Sequence, residues 1–571
     1  MVKGAILRGI RAIPIDIEIG LGLGGGIKIV GLPKDAVREA DDRLRHSIPA
    51  SGYQWPHQAV TVNLAPAGLQ KREVGLDLPL ALSVLLATGQ IKKQFLEPVY
   101  AFGELALDGR VKVCRGALSV GRMVPEGAIL IAPKENELEL ALLRLQKGVR
   151  KNFRPYVVQS LAEAAEVFTH RRGRLATAKG EDFKPAFSRG SDFRVIKGQA
   201  RAKRALEVAA AGGHNVLLIG PPGEGKSLLA KAMPTILPRL TANEVVELTE
   251  IHSVKGLLTD SNQVVIFRPY RQVHHQASSA AIIGGGNRLP EPGEITLAHR
   301  GVLFMDELPL FGPALLETLR QPLEDGRIHV VRVEGAETFP SEFILIAAMN
   351  PCPCGFDGEF VCGRCGSRMP YGKSECLRCN STDRRGRCKC TPAQITGYRG
   401  RLSGPILDRI DLKIRVAPLS PGERSAQGDG EQSQDIRRRV EAARVMQRDR
   451  YKGTGILVNA RIPGGEVARY CELHPSAARA MGEVNEKIFT LTTRGYDQLL
   501  KVSRTIADLS NSGLIYKKHV VEAADLSGHE DVKELLEAQP DLDQCPECGL
   551  NLAVGDRFCR RCGAALSERE A

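Results

Sequence analysis

Gly220-Pro-Pro-Gly-Glu-Gly-Lys226-Ser227 constrains this chain more than any other stretch. It reads G-x-x-x-x-G-K-S, follows the apolar run Val216–Ile219, and leads into a helical pattern from Leu228. A buried strand, a tight loop and a helix start are what a phosphate cradle requires. Glycines let several backbone N–H groups face one anion, and the helix adds the positive end of its dipole. Gly220, Pro221, Pro222, Gly223, Glu224, Gly225, Lys226 and Ser227 are therefore expected to hold a nucleoside triphosphate. Lys226 is suited to the β- and γ-phosphates and Ser227 to Mg²⁺. The plainer alternative is an ordinary glycine-rich turn.

A chain of 571 residues is too long for one core, so three or four domains are expected. The start, Met1-Val-Lys-Gly-Ala-Ile-Leu-Arg, has no long apolar region, and no run of 18 apolar residues occurs. A cytoplasmic location without a membrane span is expected. Net charge is +13, from 79 basic against 66 acidic residues. That balance suits a polyanionic partner such as DNA, although a solvated basic surface is the simpler reading.

Residues 1–168 alternate short apolar segments with Gly and Pro turns: Ile15–Ile19, Gly26–Val30, Ala59–Asn63, then a helical run Asp77–Ala87. This reads as an α+β unit. Residues 169–192 are basic and polar, and read as a linker. Residues 193–420 carry the nucleotide chemistry, and 421–538 open with a Gly-, Ser- and Gln-rich loop before helical patterns. A cysteine-bearing tail, 539–571, ends the chain.

Downstream of Lys226, the apolar run Gly301–Met305 ends in Asp306 and Glu307. Asp306 is placed to hold Mg²⁺, and Glu307 to polarise the attacking water. A third apolar run, Phe343–Met349, ends in Asn350, an amide able to orient that water. Ser403-Gly-Pro-Ile-Leu-Asp408-Arg409-Ile-Asp411 follows, with an arginine among aspartates. Each run alone is also an ordinary core strand.

In this order the set resembles the AAA+ ATPases, in the magnesium-chelatase-like branch and its bacterial ComM/YifB family. Phe193–Gln199, Ala209-Ala-Ala-Gly-Gly-His214, Arg268–His275, Ile283–Gly286, Pro292–His299, Ala348–Gly355 and Thr505–Leu509 carry the resemblance. It implies an α/β chain: an AAA+ phosphate-loop core with a helical lid, preceded by an α+β Lon-protease-like domain and accompanied by zinc-ribbon modules. It further implies a homo-hexameric ring. Arg409 becomes the arginine finger reaching a neighbour's ATP, its plainer role being a pair with Asp408 or Asp411. Arg494 becomes the lid arginine that senses the γ-phosphate, with Arg504 the alternative. A segment within 250–300 and the run Gly326–Arg332 resemble pore loops.

The N-terminal blocks Ile29–Pro33, Val62–Pro66 and Asp77–Ala81 resemble the ComM N-terminal domain, itself similar to the proteolytic domain of Lon. Where Lon carries its nucleophilic serine, this chain has Glu73-Val-Gly75-Leu-Asp77; Ser119 stands where the partner lysine is expected. Nucleophile and base are both missing, so peptide cleavage is not supported.

Twelve of fourteen cysteines cluster, leaving Cys114 and Cys471 alone. Cys545-x₂-Cys548-x₁₀-Cys559-x₂-Cys562 has zinc-ribbon spacing, and Cys362-x₂-Cys365-x₁₀-Cys376-x₂-Cys379 repeats it. Cys352-Pro-Cys354 and Cys388-Lys-Cys390 flank the inner set and are expected to form a further site. Arg384, Arg385, Arg387 and Lys389 lie beside it, where a phosphate contact and a purely structural clamp are both open.

The leading expectation is thus an ATP-driven motor on DNA, of the branch-migration or helicase kind in recombination or DNA uptake. A protein-remodelling ATPase with a protein client is the rival, and a magnesium-chelatase motor subunit a weaker third. Metal analysis of the purified chain is expected to find about three zinc ions from the twelve clustered thiols; a value near one would remove the inner sites.

Overall fold

A computed structural model describes residues 1–66, 75–145, 152–188, 190–259, 262–286, 290–333, 335–365, 381–419, 430–488 and 491–538, with 367, 369, 375, 376, 379 and 423. Glu73 and most of the 421–435 loop lie outside these residues, as do Cys545, Cys548, Cys559 and Cys562. Among the described residues no helix is long and apolar enough to cross a membrane.

The N-terminal part is built on an eight-stranded mixed sheet. Its spatial order is Arg174–Leu175, Arg154–Val158, Ile129–Pro133, Val99–Ala101, Val2–Arg8, Arg11–Gly22, Ala59–Ala65 and Ile27–Val30. The helix Asp77–Ala87 is apolar on every side and buried from Asp77 to Leu85, as a helix without a polar face must be. The segment expected to be linker contributes an edge strand instead: Arg171, in the left-handed region at φ 56°, ends helix Leu161–His170 and turns Arg174–Leu175 back onto Tyr156 and Val157.

The second part centres on five parallel strands. Their order is Tyr270–Val273, Val302–Met305, Ile344–Met349, Val216–Ile219 and Leu412–Arg415. Val302–Met305 and Ile344–Met349 are buried at every position, which explains their unbroken apolar runs: helices cover both faces of such a sheet. The strand ending before Asn350 lies between the strand that leads into the phosphate loop and the strand that ends before Asp306. Their carboxyl ends share one edge, the edge where open parallel sheets receive ligands.

The helices Ser433–Arg450, Pro475–Lys487, Thr493–Leu509 and Lys517–Ser527 share one apolar core with helix Ala200–Gly212 of the sheet domain. A buried polar chain reinforces that union. His214 Nε2 meets Thr505 Oγ1 at 2.8 Å; Asn459 donates to Thr505 at 3.0 Å and to Asp508 at 2.9 Å. Asp508 is fully buried between Arg450 and Arg504. The Thr505–Leu509 block therefore serves packing between lid and core.

The two parts meet through a common apolar cluster. Leu7, Phe102, Leu118 and Leu143 come from the N-terminal sheet domain; Leu240, Val245, Leu248 and Val264 come from the ATPase-like domain. Polar contacts cross beside it. Arg122 pairs with Glu250 at 2.6 Å, and Arg8 with Glu337 at 2.8 Å. Ser253 Oγ donates to Glu139 at 2.5 Å, and Asn136 donates to the same carboxyl at 2.8 Å. Burial pushes Glu139 up to about 7, with these hydrogen bonds opposing it. A carboxyl raised in the folded state favours the fold below its ordinary pKa of 4.5 and loses that contribution as pH rises through about 7. Thermal melting across this range should show stability falling as pH rises, with a flatter profile in Glu139→Gln; an unchanged slope in the variant would remove Glu139 as the cause.

Candidate nucleotide site and thiolate centres

The phosphate loop joins strand Val216–Ile219 to helix Lys226–Ala232. Gly223 and Gly225 have φ of +81° and +88°, conformations that strain any L side chain, and nothing lies within 4 Å of where a Cβ would stand. Gly220 is required for a different reason: a Cβ there would come 2.4 Å from the Val416 carbonyl of the neighbouring chain segment. Lys226 is 8% exposed, and Nζ donates to the carbonyls of Gly220 at 2.5 Å and Pro221 at 2.8 Å, and to Asn350 Oδ1 at 3.1 Å. Burial lowers its pKa, while Asp306, Glu224 and Glu307 favour the charged form. Glu224 accepts from the Leu419 N–H at 3.3 Å and anchors the loop's outer side.

Ser227 Oγ donates to Asp306 Oδ2 at 3.2 Å, which brings the two expected Mg²⁺ ligands together. Glu307 has φ +54°, uncommon for a non-glycine residue, and its N–H donates to Asp306 Oδ1 at 3.0 Å. Its half-exposed carboxylate stands 3.7 Å from His275 Nδ1. Strand register explains that neighbour. Val273 pairs with Met305 in parallel, so residues two further along each chain arrive side by side. His275 was visible in the sequence only as part of a family block. The clear loop glycines, the buried ammonium and the Ser227–Asp306 pair fit a nucleoside triphosphate with Mg²⁺.

The arginines lie elsewhere. Arg409 donates to the Pro405 carbonyl at 2.8 Å and pairs with Glu324, and Arg494 comes within 3.6 Å of that same Glu324. Both line a cavity of about 640 Å³ with Asp411, Arg461 and Lys501, and no residue of 220–227 contributes to it. Arg409's local partner is thus Glu324; Asp411 faces His214 and the Asn215 N–H instead. Arg504 is 1% exposed and donates to Asp508 at 3.1 Å, the Gly513 carbonyl at 2.6 Å and the Ser512 carbonyl. Its donors serve the lid's interior, whereas Arg494 is open to a ligand.

The eight inner thiols form two groups of four, each with its sulfurs within 4.8 Å of one another. In the outer group Cys352 lies 3.3 Å from Cys354 and 3.6 Å from Cys388, with Cys390 completing the set. In the inner group Cys362–Cys379 and Cys365–Cys376 are each 3.5 Å apart. Four thiolates about 2.3 Å from one zinc stand roughly 3.8 Å apart, so both groups fit a closed tetrahedral site. Arg387 is held by Glu359 at 2.5 Å and stacks on Phe356, while Arg385 and Lys389 stay exposed.

Three family profiles cover most of the chain: "Magnesium chelatase, subunit ChlI" over residues 192–370 and 372–424, "Subunit ChlI of Mg-chelatase" over 15–136, and "Magnesium chelatase, subunit ChlI C-terminal" over 430–527. The uncharacterized protein YifB of Salmonella typhimurium is 38% identical over 90% of this chain and 94% of its own. The competence protein ComM of Haemophilus influenzae is 37% identical over the same shares, 90% and 94%. This chain belongs to the magnesium-chelatase-like ComM/YifB family. Within the wider branch, the 38 kDa magnesium-chelatase subunit of Rhodobacter capsulatus is 28% identical over 31% of this chain and 53% of its own.

Glu307→Gln keeps the side chain's size but removes the carboxylate. Nucleotide binding, followed by a fluorescent ATP analogue, should persist while phosphate release falls by about 10²-fold or more; normal turnover would exclude Glu307 as the group acting on water.

Proposed function

We propose that the chain is an ATP-hydrolysing ring motor acting on DNA in the cytoplasm. The observation that carries hydrolysis is the convergence of Lys226, Ser227, Asp306, Glu307 and Asn350 on one edge of the parallel sheet. Mg²⁺ held through Ser227 and Asp306 would neutralise the β- and γ-phosphates. Lys226 exchanges its loop carbonyls for phosphate oxygens. Glu307 accepts the water's proton, His275 beside it orients the carboxylate, and Asn350 holds the water in line. Arg409 and Arg494 leave Glu324 for the nucleotide of an adjoining subunit in a hexamer, stabilising charge on the transferred group.

The DNA half of the reading rests on the net charge of +13, on exposed Arg327 in the hairpin Arg327–Arg332/Gly335–Pro340, and on the competence role in the ComM relative's name. The exposed basic residues beside the outer thiols add to it. In this reading residues 1–168 form a Lon-like but non-proteolytic domain, 193–420 the motor with its thiolate insertion at 352–390, 421–538 the lid, and 539–571 a zinc ribbon. One observation favours the second reading, a protein-remodelling motor: Val331 and Val333 at the hairpin tip are 66% and 93% exposed, an apolar tip suited to gripping polypeptide. A chelatase subunit has less support, because the Rhodobacter capsulatus subunit matches at 28% identity over 31% of the chain, against 37% over 90% for the ComM relative.

ATP hydrolysis should rise with branched or single-stranded DNA, and the rise should vanish in Lys226→Ala. Lack of DNA binding even at low salt would pass the case to the protein client. Arg409→Ala should be inactive alone but regain part of its turnover in mixed rings with Lys226→Ala subunits, as a finger acting between subunits requires; no recovery would place Arg409 within its own subunit.

A further inference from the structure

The outer thiolate group sits against the phosphate loop. Cys352 and Cys354 follow Asn350 by two and four residues, and Asn350 is the amide that Lys226 contacts. Gly355 closes that turn at φ +84°. A Cβ on it would stand 2.7 Å from Cδ of Pro222 and 3.9 Å from Cγ of Asn350. The turn is therefore wedged between the loop that cradles phosphate and the amide beside it.

The other two thiols arrive from the opposite side. Cys388 and Cys390 immediately precede helix Pro392–Arg399, which starts with a capping box from Thr391 and Gln394. That helix returns to the same strand end. Arg399 donates to the Pro351 carbonyl at 3.0 Å and to Asp357 at 2.6 Å, and the Tyr398 hydroxyl shares a hydrogen bond with the Asn350 backbone. Asn350 is thus flanked by two irregular segments, 352–355 and 388–390, brought together at sulfur. Without a metal, ionised thiols at such distances repel one another, and the segments lose their common centre. The inner group differs: it packs within its own small cluster of Cys362, Met369 and Cys376, at the end of strand Phe360–Cys362.

We infer that zinc at Cys352, Cys354, Cys388 and Cys390 is a positioning element for ATP turnover, seating Gly355 against Pro222 and fixing Asn350 beside Lys226. The inner zinc site has no such role. This rests on the hydrolysis reading above, and the test separates the two. Cys388 is the informative position because it lies 38 residues from Asn350 in sequence and its sulfur meets both Cys352 and Cys354 at 3.6 Å.

The experiment compares full-length protein with Cys388→Ser, Cys388→His, Cys376→Ser and Gly355→Ala. Zinc content, kcat and KM for ATP, and hydrogen exchange at amides 220–227 and 349–355 are read for each. Cys388→Ser should lose one zinc, lose kcat by about tenfold or more with a smaller change in KM, and exchange faster at both segments. Cys388→His, which keeps a zinc ligand, should restore all three. Cys376→Ser should lose one zinc and leave kcat and those amides unchanged. Gly355→Ala should keep its zinc yet lose kcat, because the added methyl group must push Pro222 away. Zinc loss in Cys388→Ser with unchanged exchange at 349–355, or normal kcat in Gly355→Ala, would overturn the proposal. Faster exchange in Cys388→Ser together with a native chain that does not hydrolyse ATP would leave the clamp standing and reject the hydrolysis reading.

Discussion

Parallel register among three buried strands is the constraint on which the site depends. Ile219 pairs with Met349, and Met305 with Ala347. One step beyond Ile219 and Met349 the chain leaves the sheet at Gly220 and Asn350; Asp306, one step beyond Met305, comes level with Ala348, two residues short of Asn350 on the same edge. Lys226 can then reach back to Gly220, Pro221 and Asn350 while Ser227 reaches Asp306. Because both faces of these strands are buried, a slip of one residue would leave the core apolar but carry one polar group away from the edge. The all-apolar composition of Val302–Met305 and Ile344–Met349 supplies the hydrophobic driving force for that arrangement.

Around this edge the chain places devices that hold it from several sides. The lid is joined to the core by a shared apolar cluster and by the chain from His214 through Thr505 and Asn459 to Asp508. Such a buried polar chain is favourable only because its members satisfy one another, and Asp508 must carry two arginines to be tolerated there. The N-terminal part is bound by apolar packing on Leu240–Leu248 and reaches the hairpin through Arg8 and Glu337. The hairpin is thus in direct contact with the N-terminal sheet. The outer thiols add a third hold, on the turn that sets Gly355 against Pro222 and near Asn350.

Legibility in the sequence followed the range of the interactions. The helix Asp77–Ala87 has the bounds expected from its run, since a helix whose residues are apolar apart from Asp77 and Ser83 declares itself locally. Cysteine spacing anticipated two groups of four among the described residues, because C-x-C and C-x-x-C steps fix geometry over a few residues. By contrast, Arg174–Leu175 read as linker: two residues carry no periodicity, and their pairing with Tyr156 and Val157 is a long-range event. Glu324 as the common partner of Arg409 and Arg494 was equally invisible, lying 85 residues from one and 170 from the other. Resemblance alone prefers Arg494 to Arg504; burial gives the physical distinction, since Arg504 spends its donors within its own helical part.

The sequence by itself determined the strand–loop–helix around Lys226, the thiol groupings and membership of the ComM/YifB family. All of these are written in contiguous blocks whose backbone needs are local. Tertiary structure decided which groups meet: His275 beside Glu307, Asp306 under Ser227, Gly355 against Pro222, and Arg409 with Arg494 on Glu324. Those meetings depend on strand order and register, which arise from burying apolar faces across hundreds of residues, and no local pattern encodes them.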